Sequence, residues 1–314
     1  MPRNGTVTRR RFLGLLAAGG AGALLGFRFG TPARGGAPKR LKVAFYTDVH
    51  ARTEWDTPEA MRRAAQAINA QDPDLVIAGG DLITDGFNLT SEAVRPRWDA
   101  YMEMHRAIRG RVEAAIGNHD LVAARPADGS PASADPRREF LDRMGLERTW
   151  RSFDFGGYHF VLLDALRVTG DELEYEGFVG ADQLEWLASD LAALEPGTPV
   201  VAVTHMPLRT GFFQATEGAT AAAPRNRVVV NSREVLKVFD GCDLVAVLQG
   251  HLHVNELLEW QGCTFITGGA VSGKWWRGAW HGTREGFGVL TLEGRHVGWE
   301  YIEYGWEARR PVGA

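Results

Sequence analysis

Five short apolar runs in this chain each stop abruptly at residues that can carry charge or ligate a metal. Leu41 to Thr47 runs into Asp48-Val49-His50, and Leu75 to Ala78 runs into Gly79-Gly80-Asp81. Val112 to Ile116 leads into Gly117-Asn118-His119-Asp120, Pro199 to Thr204 into His205, and Leu244 to Leu248 into Gly250-His251-Leu252-His253. Short runs rich in Val, Ile and Leu read as buried strands. Between the first three lie helix signals. Thr57-Pro58-Glu59 opens one helix, with Thr57 as N-cap and Pro58 in the first turn, reaching about Ala70. A second runs from about Ser91 to Arg109. Strand, helix, strand in this order predicts parallel pairing through right-handed crossovers. Ligands of such sheets bind beyond the carboxyl ends of the strands, where all five polar motifs fall.

The rest of the chain continues the pattern. Tyr158 to Asp164 reads as a strand, Asp182 to Leu194 as an amphipathic helix, and about 231–238 as a short helix. Residues 121–136 and 209–227 read as long loops, the first a candidate lid. Beyond 254, Leu257–Trp260, Cys263–Thr267, Phe287–Leu292 and Val297–Tyr304 alternate as antiparallel strands do. The acidic run Asp171, Glu172, Glu174 and Glu176 reads as a solvated loop face. The length of 314 residues suits one large α/β unit, or two with a small second one. A net charge of −4 argues against a nucleic-acid polymer as partner. Two cysteines are too few for a disulfide scaffold or a thiolate metal site. Cys242 precedes one strand and Cys263 opens a nearby one, which gives the expectation of a single disulfide in an oxidising compartment.

The N-terminus reads as an address. Thr8-Arg9-Arg10-Arg11-Phe12-Leu13 resembles a twin-arginine signal, followed by a mild Ala/Gly-rich stretch from Leu13 to Leu25. A comfortable membrane span needs about 20 apolar residues, so this stretch is too short and too weak for one. The resemblance implies the twin-arginine export machinery as a partner and a periplasmic or extracellular destination, with membrane anchoring if the signal stays uncleaved. Residues 1–38 are therefore set apart as signal and linker, 39–270 as the main folded domain, and 271–314 as loop and strands completing the same domain.

Five of the nine histidines sit in the strand-end motifs. Any one of them is more readily a buried structural histidine, and Asn118-His119-Asp120 alone would pass for a polar turn capping a helix. Gathered together, Asp48, His50, Asp81, Asn118, His119, His205, His251 and His253 form a nitrogen and carboxylate set without thiolate. Such a set suits Fe, Mn, Zn or Co. One ion needs about half of it, so the set fits two ions sharing a carboxylate, and paired ions clamp phosphate.

The order D-x-H, G-D, G-N-H-D, a lone His after a strand, then G-H-x-H resembles the calcineurin-like metallophosphoesterases over nearly all of 41–270. The resemblance implies a four-layer αββα sandwich with mixed sheets. It implies two transition-metal ions (Fe, Mn or Zn), the first held by Asp48, His50 and His253 and the second by Asn118, His205 and His251, with Asp81 bridging. It implies an activity, hydrolysis of phosphodiester or phosphomonoester bonds by a hydroxide held between the metals. His119 would stabilise phosphoryl oxygens or protonate the leaving group, and Asp120 would orient His119 or cap a helix. Leu82 stands where the purple acid phosphatases carry tyrosine. The nearest subgroup in pattern is the bacterial cyclic-nucleotide and glycerol phosphodiesterases.

Substrate choice must come from loops around such a centre. Lys274, Trp275, Trp276 and Arg277 on a glycine-flexed loop read either as a substrate wall with phosphate-pairing cations or as a core plug. The wall reading favours a nucleotide-like or lipid-like phosphoester as the substrate. A metal-holding binding protein without catalysis is the competing reading from another class, and the intact His119 argues against it. The oligomeric state is not legible in the sequence.

Overall fold

The computed structural model describes residues 40–310, so the twin-arginine-like stretch lies outside the described residues. Two sheets form its centre. The first has the strand order β13-β12-β1-β2-β3. It uses β1 (Leu41–Tyr46), β2 (Leu75–Ala78), β3 (Val112–Ala114), β12 (Gly286–Glu293) and β13 (His296–Glu303). β1, β2 and β3 pair in parallel, whereas β12 lies antiparallel along the other edge of β1, with Val43 opposite Leu290.

The second sheet has the order β10-β11-β9-β8-β5-β4. Its strands are β4 (Arg151–Phe155), β5 (Tyr158–Leu163), β8 (Pro199–Thr204), β9 (Asp243–Gln249), β10 (Glu256–Trp260) and β11 (Cys263–Thr267). β5, β8, β9 and β11 run parallel, and antiparallel β4 and β10 close the edges. A separate ribbon joins β6 (Leu166–Val168) to β7 (Tyr175–Gly177).

Strand alternation explains the layering. Val43, Phe45 and Ile77 from the first sheet meet Phe160, Val201 and Leu248 from the second in one apolar core. The intervening residues, among them Ala44, Tyr46 and Val76, and Val161, Ala202 and Val247, belong to a second core. That core takes in the apolar faces of the helices, including Met61 and Ile68 of α1 (Thr57–Ala70), Tyr101 of α2 (Ser91–Ala107) and Leu187 and Leu191 of α4 (Ala181–Ala192). The Tyr46 and Tyr101 hydroxyls lie 3.0 Å apart and tie β1 to α2. Helices outside and two sheets inside give the four-layer αββα sandwich with mixed sheets. The remaining helices are short: α3 (Arg138–Met144), α5 (Phe212–Glu217) and α6 (Ser232–Val238). Among the described residues no helix is long and apolar enough to cross a membrane.

Several local expectations need correction. Thr57 is inside α1 rather than its N-cap, and its hydroxyl donates to the Arg52 carbonyl at 2.8 Å. Cys242 and Cys263 form no disulfide with each other. The Cys263 thiol is buried in the apolar core, and that burial pushes its pKa up to about 12. The acidic run is a solvated loop face at Asp171 and Glu172, but not at its end, where Glu176 is buried in β7 and grips two arginines.

Candidate metal centre

Five of the sequence-predicted ligands, Asp48, His50, Asp81, His251 and His253, hold a left-handed backbone, with φ between 46° and 71°. They sit just where the chain leaves β1, β2 and β9. A non-glycine residue held there costs on the order of 1–3 kcal/mol, and such strain clusters at functional sites. Asp, Asn and His tolerate it best. Gly117 is needed for a different reason. Its φ is −110°, ordinary for any residue, but a Cβ there would lie 2.2 Å from the Asp81 nitrogen. The close approach lets the His119 amide donate to Asp81 Oδ1 at 2.7 Å.

Three backbone carbonyls set the histidine tautomers. His205 Nδ1 lies 2.9 Å from the Gly79 carbonyl, His253 Nδ1 2.5 Å from that of Gly273, and His251 Nε2 3.0 Å from that of Asn226. A carbonyl only accepts, so each of these nitrogens carries its ring's proton. The opposite nitrogens turn lone pairs inward. His253 Nε2 faces His50 Nε2 at 3.0 Å and Asp48 Oδ1 at 3.1 Å. His251 Nδ1 faces His205 Nε2 at 3.3 Å, and His205 Nε2 lies 3.2 Å from Asp81 Oδ2. Asp81 Oδ2 also lies 3.6 Å from His50 Nε2, which places this one carboxylate between the two groups.

A convergence of acceptors is what a bare cation satisfies and what a protein interior otherwise avoids. Asp48 Oδ1 and Asn118 Oδ1 are each buried without a hydrogen-bond partner. Three ligand triads lie close enough for a shared ion: Asp48-His50-His253, His50-Asp81-His119 and Asp81-His205-His251. The donor set therefore fits metal. Burial opposes a charged His205, but Asp81 and Asp48 outweigh it and push its pKa up to about 9. Burial, and then the charge of His205, hold His251 down to about 3. Burial alone would raise Asp48, yet His253 and His205 hold it well below the usual carboxylate range.

His119 differs from the other motif histidines in being half-buried rather than buried. Its Nδ1 accepts from the Asp85 amide at 2.9 Å, so the ring's proton sits on Nε2. Asp120 does not orient it. The Asp120 carboxylate accepts from the Leu82 amide at 2.8 Å, the Ile83 amide at 3.2 Å and the Gly117 amide at 2.9 Å. It braces the loops after β2 and β3 against each other. Burial, then the nearby charge of Asp81, push its pKa up to about 8. The orienting group is a backbone N–H, which leaves no side-chain signature in the sequence.

A family model of calcineurin-like phosphoesterases matches residues 41–255. The chain belongs to this family. It is 26% identical over 198 residues to a 3′,5′-cyclic-nucleotide phosphodiesterase of Nostoc, covering 54% of this chain and 70% of that protein. In fold it is similar to a dimetal phosphatase from Danio rerio, with TM-score 0.56 and 18% identity over 84% of this chain and 99% of that one. It is also similar to a purple acid phosphatase from yellow lupin, with TM-score 0.57 and 17% identity, covering 87% of this chain and 53% of that one. Family members typically bind two metal ions, in keeping with the candidate ligand clusters here.

In this family member, two neighbouring tryptophans have opposite placements. Trp276 is 1% exposed, and its Nε1–H donates to the His50 carbonyl at 3.0 Å. It is part of the core under the site, which corrects the reading of Trp276 as substrate wall. Trp275 is half-buried beside the ligand rings, its centroid 4.7 Å from that of His253 and 5.9 Å from that of His50. The Lys274 ammonium sits over the Trp280 ring at 4.3 Å, and Arg277 is exposed on the turn. Sequence reading missed two groups at the site. One is Tyr175, whose ring meets His251 edge-on at 6.4 Å, and the other is the Asn226 carbonyl.

Proposed function

We propose that this chain is an exported phosphodiesterase with two transition-metal ions of the Zn, Fe or Mn class. The observation that carries the reading is the inward convergence of histidine lone pairs and partnerless carboxylate and amide oxygens on one pair of clusters. Asp48, His50 and His253 would hold one ion and Asn118, His205 and His251 the other, with Asp81 shared. When bound, such a pair supplies Lewis-acid neutralisation of phosphoryl charge and an activated water.

The chain's own groups do the rest. His119, with its proton on Nε2 and its ring open to solvent, donates to a phosphoryl or leaving-group oxygen. The Asp85 amide keeps that proton on Nε2 by occupying Nδ1. Trp275 offers a flat face beside the first cluster, suited to a nucleotide-like or lipid-like substituent. The preference for diesters is supported by the likeness to the Nostoc cyclic-nucleotide phosphodiesterase. Export is supported by the twin-arginine-like residues 8–13.

The test is a panel on metal-reconstituted protein: a 3′,5′-cyclic nucleotide, an aryl phosphodiester and the matching aryl monoester. The reading expects both diesters to turn over faster than the monoester. A faster monoester makes the chain a phosphatase. Two bound metals with no turnover of any ester make it a metal-holding binding protein.

A further inference from the structure

The acidic ribbon and the long loop before α6 meet at one arginine. Arg225 Nη1 lies 3.1 Å from Glu176 Oε2, and its Nη2 pairs with Asp171. Its backbone is fastened as well, because the Gly177 amide donates to the Arg225 carbonyl at 2.9 Å. Five residues further on, the chain returns to the same point, and the Val230 amide donates to the Gly177 carbonyl at 2.8 Å. A Cβ on Gly177 would stand 2.2 Å from the Val228 carbonyl oxygen, so the strand and the loop are in direct backbone contact. Between these fastenings a turn closes with the Arg227 amide on the Pro224 carbonyl at 2.9 Å. Asn226 lies in that turn, and its carbonyl receives the His251 Nε2 proton at 3.0 Å.

The structure assigns Arg225 as a positioning residue. By locking the 224–230 turn to the β6–β7 ribbon, it seats the Asn226 carbonyl on His251 and so holds that ring with Nδ1 facing the second cluster. This rests on the metal-centre reading above. Arg225 and Asp171 are 40% and 42% exposed, and such a pair contributes little to stability by itself, so its value here is register rather than energy. Outer partners of a ligating histidine fix its tautomer and ring orientation, and losing one typically weakens metal binding by roughly 10–100-fold. Arg167 provides the control. It also grips Glu176, with Nε at 2.7 Å, but it belongs to β6 and does not hold the turn.

The experiment is calorimetric titration of chelator-stripped protein with Zn²⁺, alongside thermal unfolding of the metal-free form. For Arg225→Ala we expect one of two sites to weaken by roughly tenfold or more. The other site should stay within about twofold, with the metal-free unfolding temperature hardly changed. Arg225→Lys should recover part of the loss, and Asp171→Asn, which alters only an exposed carboxylate, should show a smaller loss at the same site. Arg167→Ala should match the wild type. Unchanged Zn²⁺ binding in Arg225→Ala overturns the assignment. So does equal weakening of both sites with a lowered unfolding temperature, the mark of a merely structural arginine. If Arg225→Ala does not fold, wild-type binding by Asp171→Asn and Arg225→Lys overturns it. Wild-type protein that takes up fewer than two Zn²⁺ fails at the metal-centre reading itself, and the assignment falls with it.

Discussion

The two ligand groups are built in different materials. The first, Asp48, His50 and His253, is held from beneath by core. Trp276 donates to the His50 carbonyl, the Ser272 hydroxyl donates to the Asp48 carbonyl at 2.7 Å, and both side chains are fully buried. The second, Asn118, His205 and His251, has one support in the sheet, the Gly79 carbonyl, and another on a surface loop, the Asn226 carbonyl. One side of the centre is thus fixed by packing and the other partly by a tethered turn. Interiors are close-packed and give way little, whereas loops move at small energetic expense. The difference teaches that, on the proposed assignment, affinity for the first ion would be set by the fold and affinity for the second would be open to adjustment.

The largest effect should come from the group that belongs to both sides. Asp81→Asn removes the carboxylate whose Oδ2 lies 3.2 Å from His205 Nε2 and 3.6 Å from His50 Nε2, so both ions should weaken together. Each ion is worth several kcal/mol to the reaction, and turnover should drop by roughly 10⁴-fold or more. Elemental analysis decides it, and two full metal equivalents with near-normal turnover would show that the two sides are independent.

His119→Ala removes no member of either proposed ligand group, although its ring packs edge-on against that of His50 at 4.6 Å. Both metals should stay, and kcat should drop by roughly 10²–10⁴-fold, as for lost acid–base help. Rates across aryl esters of graded leaving-group acidity sharpen the role. A loss that shrinks with better leaving groups marks a proton donor, and a uniform loss marks a phosphoryl-binding role.

The packed side can be loosened by itself. Trp276→Phe keeps a ring in the core but strands the buried His50 carbonyl, at about 1–3 kcal/mol of folding stability. Urea unfolding measures that, and Zn²⁺ titration should show the first site weakened more than the second. The reverse order would break the comparison. Trp275→Ala should leave stability nearly untouched and raise KM for a nucleotide-like diester by about tenfold, equivalent to about 1.4 kcal/mol. A small aryl phosphodiester should hardly notice. Uniform slowing of all substrates would put Trp275 with Trp276 in the core.

The smallest effect lies away from both clusters. His159 lies 2.7 Å from Asp154 and 2.9 Å from Asp190 through its two ring nitrogens. Burial disfavours its charge, but the bonds to Asp190 and Asp154 prevail and raise its pKa. The stabilisation is therefore complete below the ordinary histidine value of about 6.5 and is lost as pH climbs through the raised one. His159→Gln should be less stable than wild type at pH 5 and should close that gap toward pH 9, with Zn²⁺ binding unchanged. Denaturant midpoints across this range check the sign.

The parts read easily from the sequence are those that repeat. Parallel strands buried on both faces leave unbroken apolar runs, and the ligands follow them directly. The edge strand β4 is missing from the sequence reading although Arg151-Ser152-Phe153-Asp154-Phe155 alternates polar and aromatic residues as an edge strand does, because the run is only five residues long. Asp120 was legible as a site residue but not as a brace, since its partners Leu82 and Ile83 are backbone amides nearly forty positions away. Asn226 was invisible for the same reason, its contribution being a carbonyl that any residue could supply. Trp275 and Trp276 could not be told apart because an irregular loop has no period to say which neighbour turns inward.

The placement of β12 has a consequence for the order of assembly. β1 carries Asp48 and His50 at its end, yet one of its two edges is completed by residues 286–293. The rest of the first ligand group and its supports come from residues 253 to 276. On a ribosome, the first ligands are made early and wait through nearly the whole of synthesis for the strand that closes their sheet. Contacts of such long sequence separation form slowly, and an unpaired strand edge in the meantime invites the wrong neighbour. The centre is thus among the last features of this fold to exist, and a chain interrupted just before β12 carries all of its candidate ligands without a place to put them.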